Sequence, residues 1–152
     1  MVADHVEIAQ RYVIELHEER DLDVVSALVD ESFVLRDPLG LLEGRDALVE
    51  RLRDTTFGDV MIVIEDIIAS GDQVVVRSTW QGVQHGKFFG IDATGKRAMI
   101  EMVQVLAFSD GRVVEDETYY DVYALFEQLG ALPPVEKLAA PKRLAPVLRL
   151  VP

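Results

Sequence analysis

The sequence predicts an α+β fold, a curved antiparallel sheet wrapped around N-terminal helices to form a cone-shaped α+β barrel with an apolar pocket. Three observations carry this expectation. Helical periodicity is concentrated in the first third of the chain, four long strand-like segments follow one another, and tight-turn sequences separate the first pair and the last pair of them. That order lays helices on one face of a sheet. Curvature then leaves an interior that side chains do not completely fill, which is where small molecules bind.

The elements follow in order. Residues 3–19 predict a helix, because Val6, Ala9, Val13 and Leu16 recur at helical spacing with Tyr12 on the same stripe. His5 and His17 are expected on its solvated side. A second helix is expected over 22–30 with Asp21 as its N-cap. A short strand over 32–36 stops at Asp37-Pro38-Leu39-Gly40, a turn sequence. A third helix follows Gly44 over 45–53, with Ala47, Leu48 and Leu52 inward. Strands are expected over 60–69, 73–84, 97–108 and 112–121, with turns at Ser70-Gly71-Asp72 and Ser109-Asp110-Gly111. The loop over 86–95 carries Phe88 and Phe89, too apolar for open solvent. A closing helix over 122–129 ends at Gly130.

The chain divides into one domain over 1–130 and a Pro/Ala-rich basic C-terminal tail over 131–152, which holds five of the six prolines. The tail's leucines and valines favour docking on the body or on a second subunit. Lys137, Lys142, Arg143 and Arg149 against Glu136 give the tail +3; with a total of −12, the body carries −15. Such a body repels a phosphate backbone, so nucleic acid is excluded as a partner. It steers a neutral or apolar ligand more easily than an acidic one. The N-terminus lacks the apolar stretch of a signal peptide, and no apolar run approaches the roughly 18 residues of a membrane span. The sequence has no cysteine, which excludes thiolate chemistry and suits a reducing cytoplasm.

Strand alternation sorts the side chains. Val74, Val76, Ser78 and Trp80 share one face, as do Ala98, Ile100, Met102, Gln104 and Leu106, and then Val114, Asp116, Thr118 and Tyr120. Each set mixes apolar bulk with one or two polar groups, as a ligand pocket requires. The opposite faces combine charged residues with Met99, Val103 and Val105, which suits a homodimer through the sheet or packing against a helix.

Two stretches resemble known families. Gln10-Arg11-Tyr12-Val13, Asp21-Leu22-Asp23 and Arg36-Asp37-Pro38-Leu39-Gly40 resemble the N-terminal third of the ketosteroid isomerases. The resemblance implies a proton-shuttling aspartate at Asp37 and an oxyanion-binding tyrosine at Tyr12. The second oxyanion donor of those enzymes falls at Gln104. A longer stretch is similar to the SnoaL-like polyketide (ester) cyclases: residues 67–77, the loop His85-Gly86-Lys87-Phe88-Phe89-Gly90-Ile91-Asp92-Ala93-Thr94-Gly95, Phe108-Ser109-Asp110-Gly111, and Gln128-Leu129-Gly130. Both families imply the nuclear-transport-factor-like cone. The cyclases' strand aspartate falls at Thr118 and their histidine at Gln104. A threonine hydroxyl has no acid/base pKa near neutrality, so that mechanism does not transfer. The Asp-Arg-Asp set of limonene-epoxide-hydrolase-like proteins is also missing, with Trp80, Ser78 and Thr118 in its places.

The candidate catalytic residues are therefore Asp37, Tyr12 and Gln104. Trp80, Met102, Thr118, Asp116, Tyr120, Phe88 and His85 are the candidate pocket residues, with Asp116 the rival acid/base. Each has a plainer reading: Asp37 as the cap of its own turn, Tyr12 as a core aromatic, Gln104 as a bonded core amide. No metal site is expected, since neither Glu65-Asp66 nor Asp116-Glu117 has a histidine at ligand spacing. The expected protein is a cofactor-independent enzyme that isomerises or cyclises a hydrophobic polyketide-like or steroid-like molecule. Epoxide opening and non-catalytic binding of a small molecule are the alternatives.

Overall fold

The apolar stripe of the N-terminal segment packs on the inner face of one curved, unclosed six-stranded sheet in the computed structural model of the protein, which describes residues 2–132. The order of elements is α1 (Val2–Arg11), a π-helical segment (Tyr12–Glu18), a 3-10 turn (Leu22–Val24), α2 (Val25–Leu28), β1 (Val29–Asp37), β2 (Gly40–Glu43), α3 (Arg45–Arg53), β3 (Phe57–Ser70), β4 (Gln73–Gln84), β5 (Arg97–Ser109), β6 (Arg112–Tyr120) and α4 (Val122–Gln128). The expected tail over 131–152 falls almost wholly outside the described residues. Among those residues, no helix is long and apolar enough to cross a membrane.

The strands lie in the order β2-β1-β6-β5-β4-β3. All neighbours are antiparallel except β1 and β6, which run parallel. A parallel pair needs a long crossover, and here everything from β2 to β5 supplies it. The Asp37-Pro38-Leu39-Gly40 sequence does not simply end β1. It turns the chain into β2, with Asp37 paired to Gly40.

The first helix departs from its expected form. It is α-helical only to Arg11 and then widens, with the Glu19 N–H donating to the Ile14 carbonyl five residues back (2.9 Å). Such wide turns are rare and are frequently found at functional sites. Their five-residue spacing sets His17 against Tyr12, ring centroids 4.7 Å apart and edge to face. His17 is consequently enclosed, not solvated. His5 is buried too, because its ring stacks on Phe108 at 4.5 Å while Nδ1 lies 3.3 Å from the Gly71 carbonyl.

A second departure lies on β6. Phe108 pairs with Val113 and Ala107 with Glu115, so Val114 is a bulge. A bulge shifts alternation by one residue. Val113 is buried and Val114 is not, whereas Asp116, Thr118 and Tyr120 keep the expected phase.

Two apolar clusters occupy the inner face. The larger joins the N-terminal helices and α3 to the sheet through residues such as Tyr12, Leu16, Phe33 and Leu48. The smaller joins α4 to β5 through Ala98, Ile100, Leu125 and Leu129. Trp80 touches both. Leu48 is fully buried and fixes α3 against the larger cluster. Leu48→Ala should cost about 2–5 kcal/mol, measured as a lowered urea midpoint with the m-value unchanged.

Candidate functional site

Strand register builds the inner wall row by row. Ile64, Ser78, Met102 and Tyr120 form one row, Ile67, Val76, Gln104 and Thr118 the next, and Ala69, Val74, Leu106, Asp116 and Leu35 a third. Two-residue alternation thus puts Asp116, Thr118 and Tyr120 in line along one strand, with Gln104 beside Thr118. A cavity of about 250 Å³ lies where the two apolar clusters fail to meet. Leu35, Leu52, Ile62, Trp80, Ile100 and Met102 are among the apolar residues of its wall.

Asp116 is the buried acid of this wall, at 0% exposure. Its Oδ2 accepts the Tyr12 hydroxyl at 2.7 Å and the Gln104 amide at 2.9 Å, and its Oδ1 accepts the Thr118 hydroxyl at 2.8 Å. Burial pushes the carboxyl above its ordinary value, while the three hydrogen bonds and the charge of Arg51 pull the other way. The Tyr12 phenol is held well above its ordinary value by burial and then by the Asp116 charge.

The expected oxyanion role of Tyr12 does not fit this arrangement. Tyr12 is fully buried, lies behind Asp116, and does not line the cavity. Its hydroxyl proton is already committed to the carboxylate. Gln104 lines the cavity, but its amide also donates to Asp116.

Asp37 lines the cavity as well, with its side chain only 4% exposed. Oδ1 accepts the backbone N–H groups of Leu39 (2.8 Å) and Gly40 (3.0 Å), closing the turn locally. Oδ2 accepts the Arg51 guanidinium at 2.6 Å. Both oxygens are thus engaged. Asp37 and Arg51 also line a second, more open groove of about 630 Å³, which shares Leu39, Asp54, Thr56 and Phe88 with the cavity. The ion pair therefore stands at the junction of the two spaces.

Of the remaining expected pocket residues, Trp80, Met102, Tyr120 and Phe88 line the cavity. His85 does not: it sits at the rim, about half exposed, with Nε2 3.6 Å from Asp59. Its neighbour Gln84 is fully buried and braces the loop, donating to the Gly86 and Ile91 carbonyls and accepting from Thr94. No group of three or more metal-ligating side chains occurs among the described residues.

Sequence reasoning missed Arg51, Arg20 and His17, all of which line the cavity. Arg51 gives no periodic signal, since Leu48 and Leu52 account for its helix. The five-residue interval from Tyr12 to His17 was the one available clue, and it is informative only in a π-helical turn. Burial, with the Arg51 and Arg20 charges, drops the His17 pKa to about 4.

No curated protein matches the sequence. Residues 7–129 match the SnoaL-like polyketide cyclase family. Among solved structures, the chain is similar to a proposed SnoaL-like polyketide cyclase from Jannaschia sp. CCS1, at 24% identity and TM-score 0.78 over 87% of this chain and 94% of that one. TsrD from Streptomyces laurentii matches at 24% identity and TM-score 0.75, over 86% and 97%. A protein with a ketosteroid isomerase-like fold from Catenulispora acidiphila DSM 44928, in complex with trimethylamine, matches at 17% and 0.70, over 83% and 94%. At these identities the structures establish the shared fold.

The His17 pKa makes a stability prediction. A histidine near 4 when folded and 6.5 when unfolded contributes stability that is whole above pH 6.5 and is lost as pH falls towards 4. Unfolding measured from pH 8 to pH 4 should show His17→Gln with a shallower decline than wild type, by at most about 1.4 kcal/mol per pH unit.

Proposed function

This chain belongs to the SnoaL-like polyketide cyclase family, and from that premise we propose a cofactor-independent enzyme that moves a proton on a hydrophobic polyketide-like or steroid-like molecule, as isomerase or cyclase. One observation carries this reading: a carboxyl raised by burial, Asp116, held by three side chains in the wall of an apolar cavity. A carboxylate with a raised pKa is a stronger base, closer in strength to what proton abstraction beside a carbonyl requires.

Asp116 takes the proton at Oδ1, which accepts one hydrogen bond where Oδ2 accepts two. The electrons of the broken C–H bond move onto the carbonyl oxygen as an enolate. Isomerisation follows when Asp116 returns the proton to a different carbon, and cyclisation when the enolate carbon attacks a second carbonyl of the same chain and the alkoxide so formed takes the proton back from Asp116. Tyr12 and Gln104 are positioning residues that fix the carboxyl plane. Asp37, expected from resemblance to be the shuttle, instead orients Arg51 where the cavity meets the groove.

Turnover of an unconjugated enone and a panel of polyketide esters tests this. Asp116→Asn should lower kcat about 10²-fold or more, with Asp37→Asn acting mainly on KM. An active Asp116→Asn beside an inactive Asp37→Asn would return the role of base to Asp37. The complete enclosure of Asp116 favours a second reading, a non-catalytic small-molecule binder. Ligand-dependent thermal stabilisation with no turnover of any panel member would select it.

We also propose a homodimer through the outer sheet face, where Met61, Val63, Ile68, Met99 and Tyr119 are all exposed. Light scattering should give twice the 17.0 kDa chain mass, and Met99→Glu with Tyr119→Lys should reduce it to one chain. The lack of cysteine supports a reducing cytoplasm as the compartment.

A further inference from the structure

The polar groups around the cavity are mostly spent on one another. Gln104 and Thr118 donate to Asp116, Arg51 donates to Asp37, and Arg20 donates to the Phe57 carbonyl. Two groups differ. His17 Nε2 is buried with no hydrogen-bond partner. Tyr120 lines the same cavity, its ring packs against the cluster of α4 and β5, and its hydroxyl bonds to none of the described residues. It stands on the inner face of β6 two residues beyond Thr118 and four beyond Asp116.

We propose that the Tyr120 hydroxyl is a ligand-binding subsite that donates a hydrogen bond to a carbonyl or phenolic oxygen on an otherwise apolar ring system. The chemistry of the wall supports this. The hydroxyl is not among the buried unsatisfied atoms, so water can reach it, and a ligand oxygen that displaces that water accepts the same hydrogen bond inside an apolar wall. The Asp37–Arg51 pair acts electrostatically on the phenol, the Asp37 charge more strongly than the Arg51 charge, which favours a neutral ligand oxygen. Burial first, and then the Asp37 charge, pushes the Tyr120 pKa up to about 12, so the group is a neutral donor under any working condition. The inference does not depend on the proton-transfer reading: four residues along β6 span about 13 Å, so the oxygen bound at Tyr120 is not that of the carbonyl whose neighbouring carbon gives its proton to Asp116.

Binding of 2-naphthol and of naphthalene, followed by fluorescence with wild type and Tyr120→Phe, tests the subsite. The two probes differ only in the oxygen. Wild type should bind 2-naphthol at least about 10-fold tighter than naphthalene, the worth of one hydrogen bond of about 1.4 kcal/mol. Tyr120→Phe should abolish that preference with naphthalene affinity unchanged, the latter showing that the variant is folded and its cavity intact. Equal affinities in wild type, or an undiminished preference in Tyr120→Phe, would overturn the proposal. Turnover by Asp116→Asn decides the catalytic reading separately. A naphthol preference that depends on Tyr120, in a protein with no turnover, keeps the subsite and removes the enzyme.

Discussion

A carboxyl group with no exposed surface must be satisfied by its neighbours, because an isolated buried charge costs several kcal/mol or more. Asp116 meets that demand with donors from three elements: Tyr12 at the start of the π-helical segment, Gln104 on β5 and Thr118 on β6 itself. The helical layer and the sheet are thereby joined at a buried directional point as well as through apolar side chains. Apolar packing tolerates sliding by a fraction of a residue, whereas a 2.7 Å hydrogen bond to a buried acid does not. The widened turn at residues 12–18 and the bulge at Val114 become intelligible together. One keeps Tyr12 and His17 on the same inner side, and the other lets Val113 and Asp116 both face inward.

The cavity follows from how the inner face is covered. Helices at one end and α4 at the other bury two separate clusters, and among the described residues Trp80 packs against both. Between them the wall keeps a few polar groups, most of them neutralised by a partner within reach. This agrees with the charge of the body. A domain at −15 repels an anionic substrate at long range, so affinity has to come from apolar contact and from local donors such as Arg51 and Tyr120.

Much of this was legible in the sequence. Alternation in β4, β5 and the second half of β6 is a period-two signal that burial enforces, and it put Ser78, Gln104, Asp116 and Tyr120 on the inner side. The long strands and α3 were equally clear, being bounded by glycine turns and a two-leucine stripe. Two of the failures share a cause. Bulges and π-helical turns break the period on which such reasoning depends, so Val114 and His17 were misassigned. The parallel pairing of β1 with β6 has no local signature, since nothing near residue 34 announces a partner near residue 115. Arg51 was invisible because its role lies in an ion pair with Asp37, 14 residues away on another element.

Family membership fixes the architecture here more firmly than the chemistry, and β6 shows why. The resemblance to the cyclases puts their acid at Thr118, and this chain carries its buried acid at Asp116, on the same face and one pleat repeat earlier. Two residues along a strand are about 7 Å. A base displaced that far along β6 asks for a reacting carbon displaced with it. On the proposed reading, the reacting carbon lies deeper, near the row of Leu35, Leu106 and Asp116. Tyr120 stands four residues further along the same strand, about 13 Å away. A ligand that engages both groups therefore carries a second oxygen at the far end of its ring system.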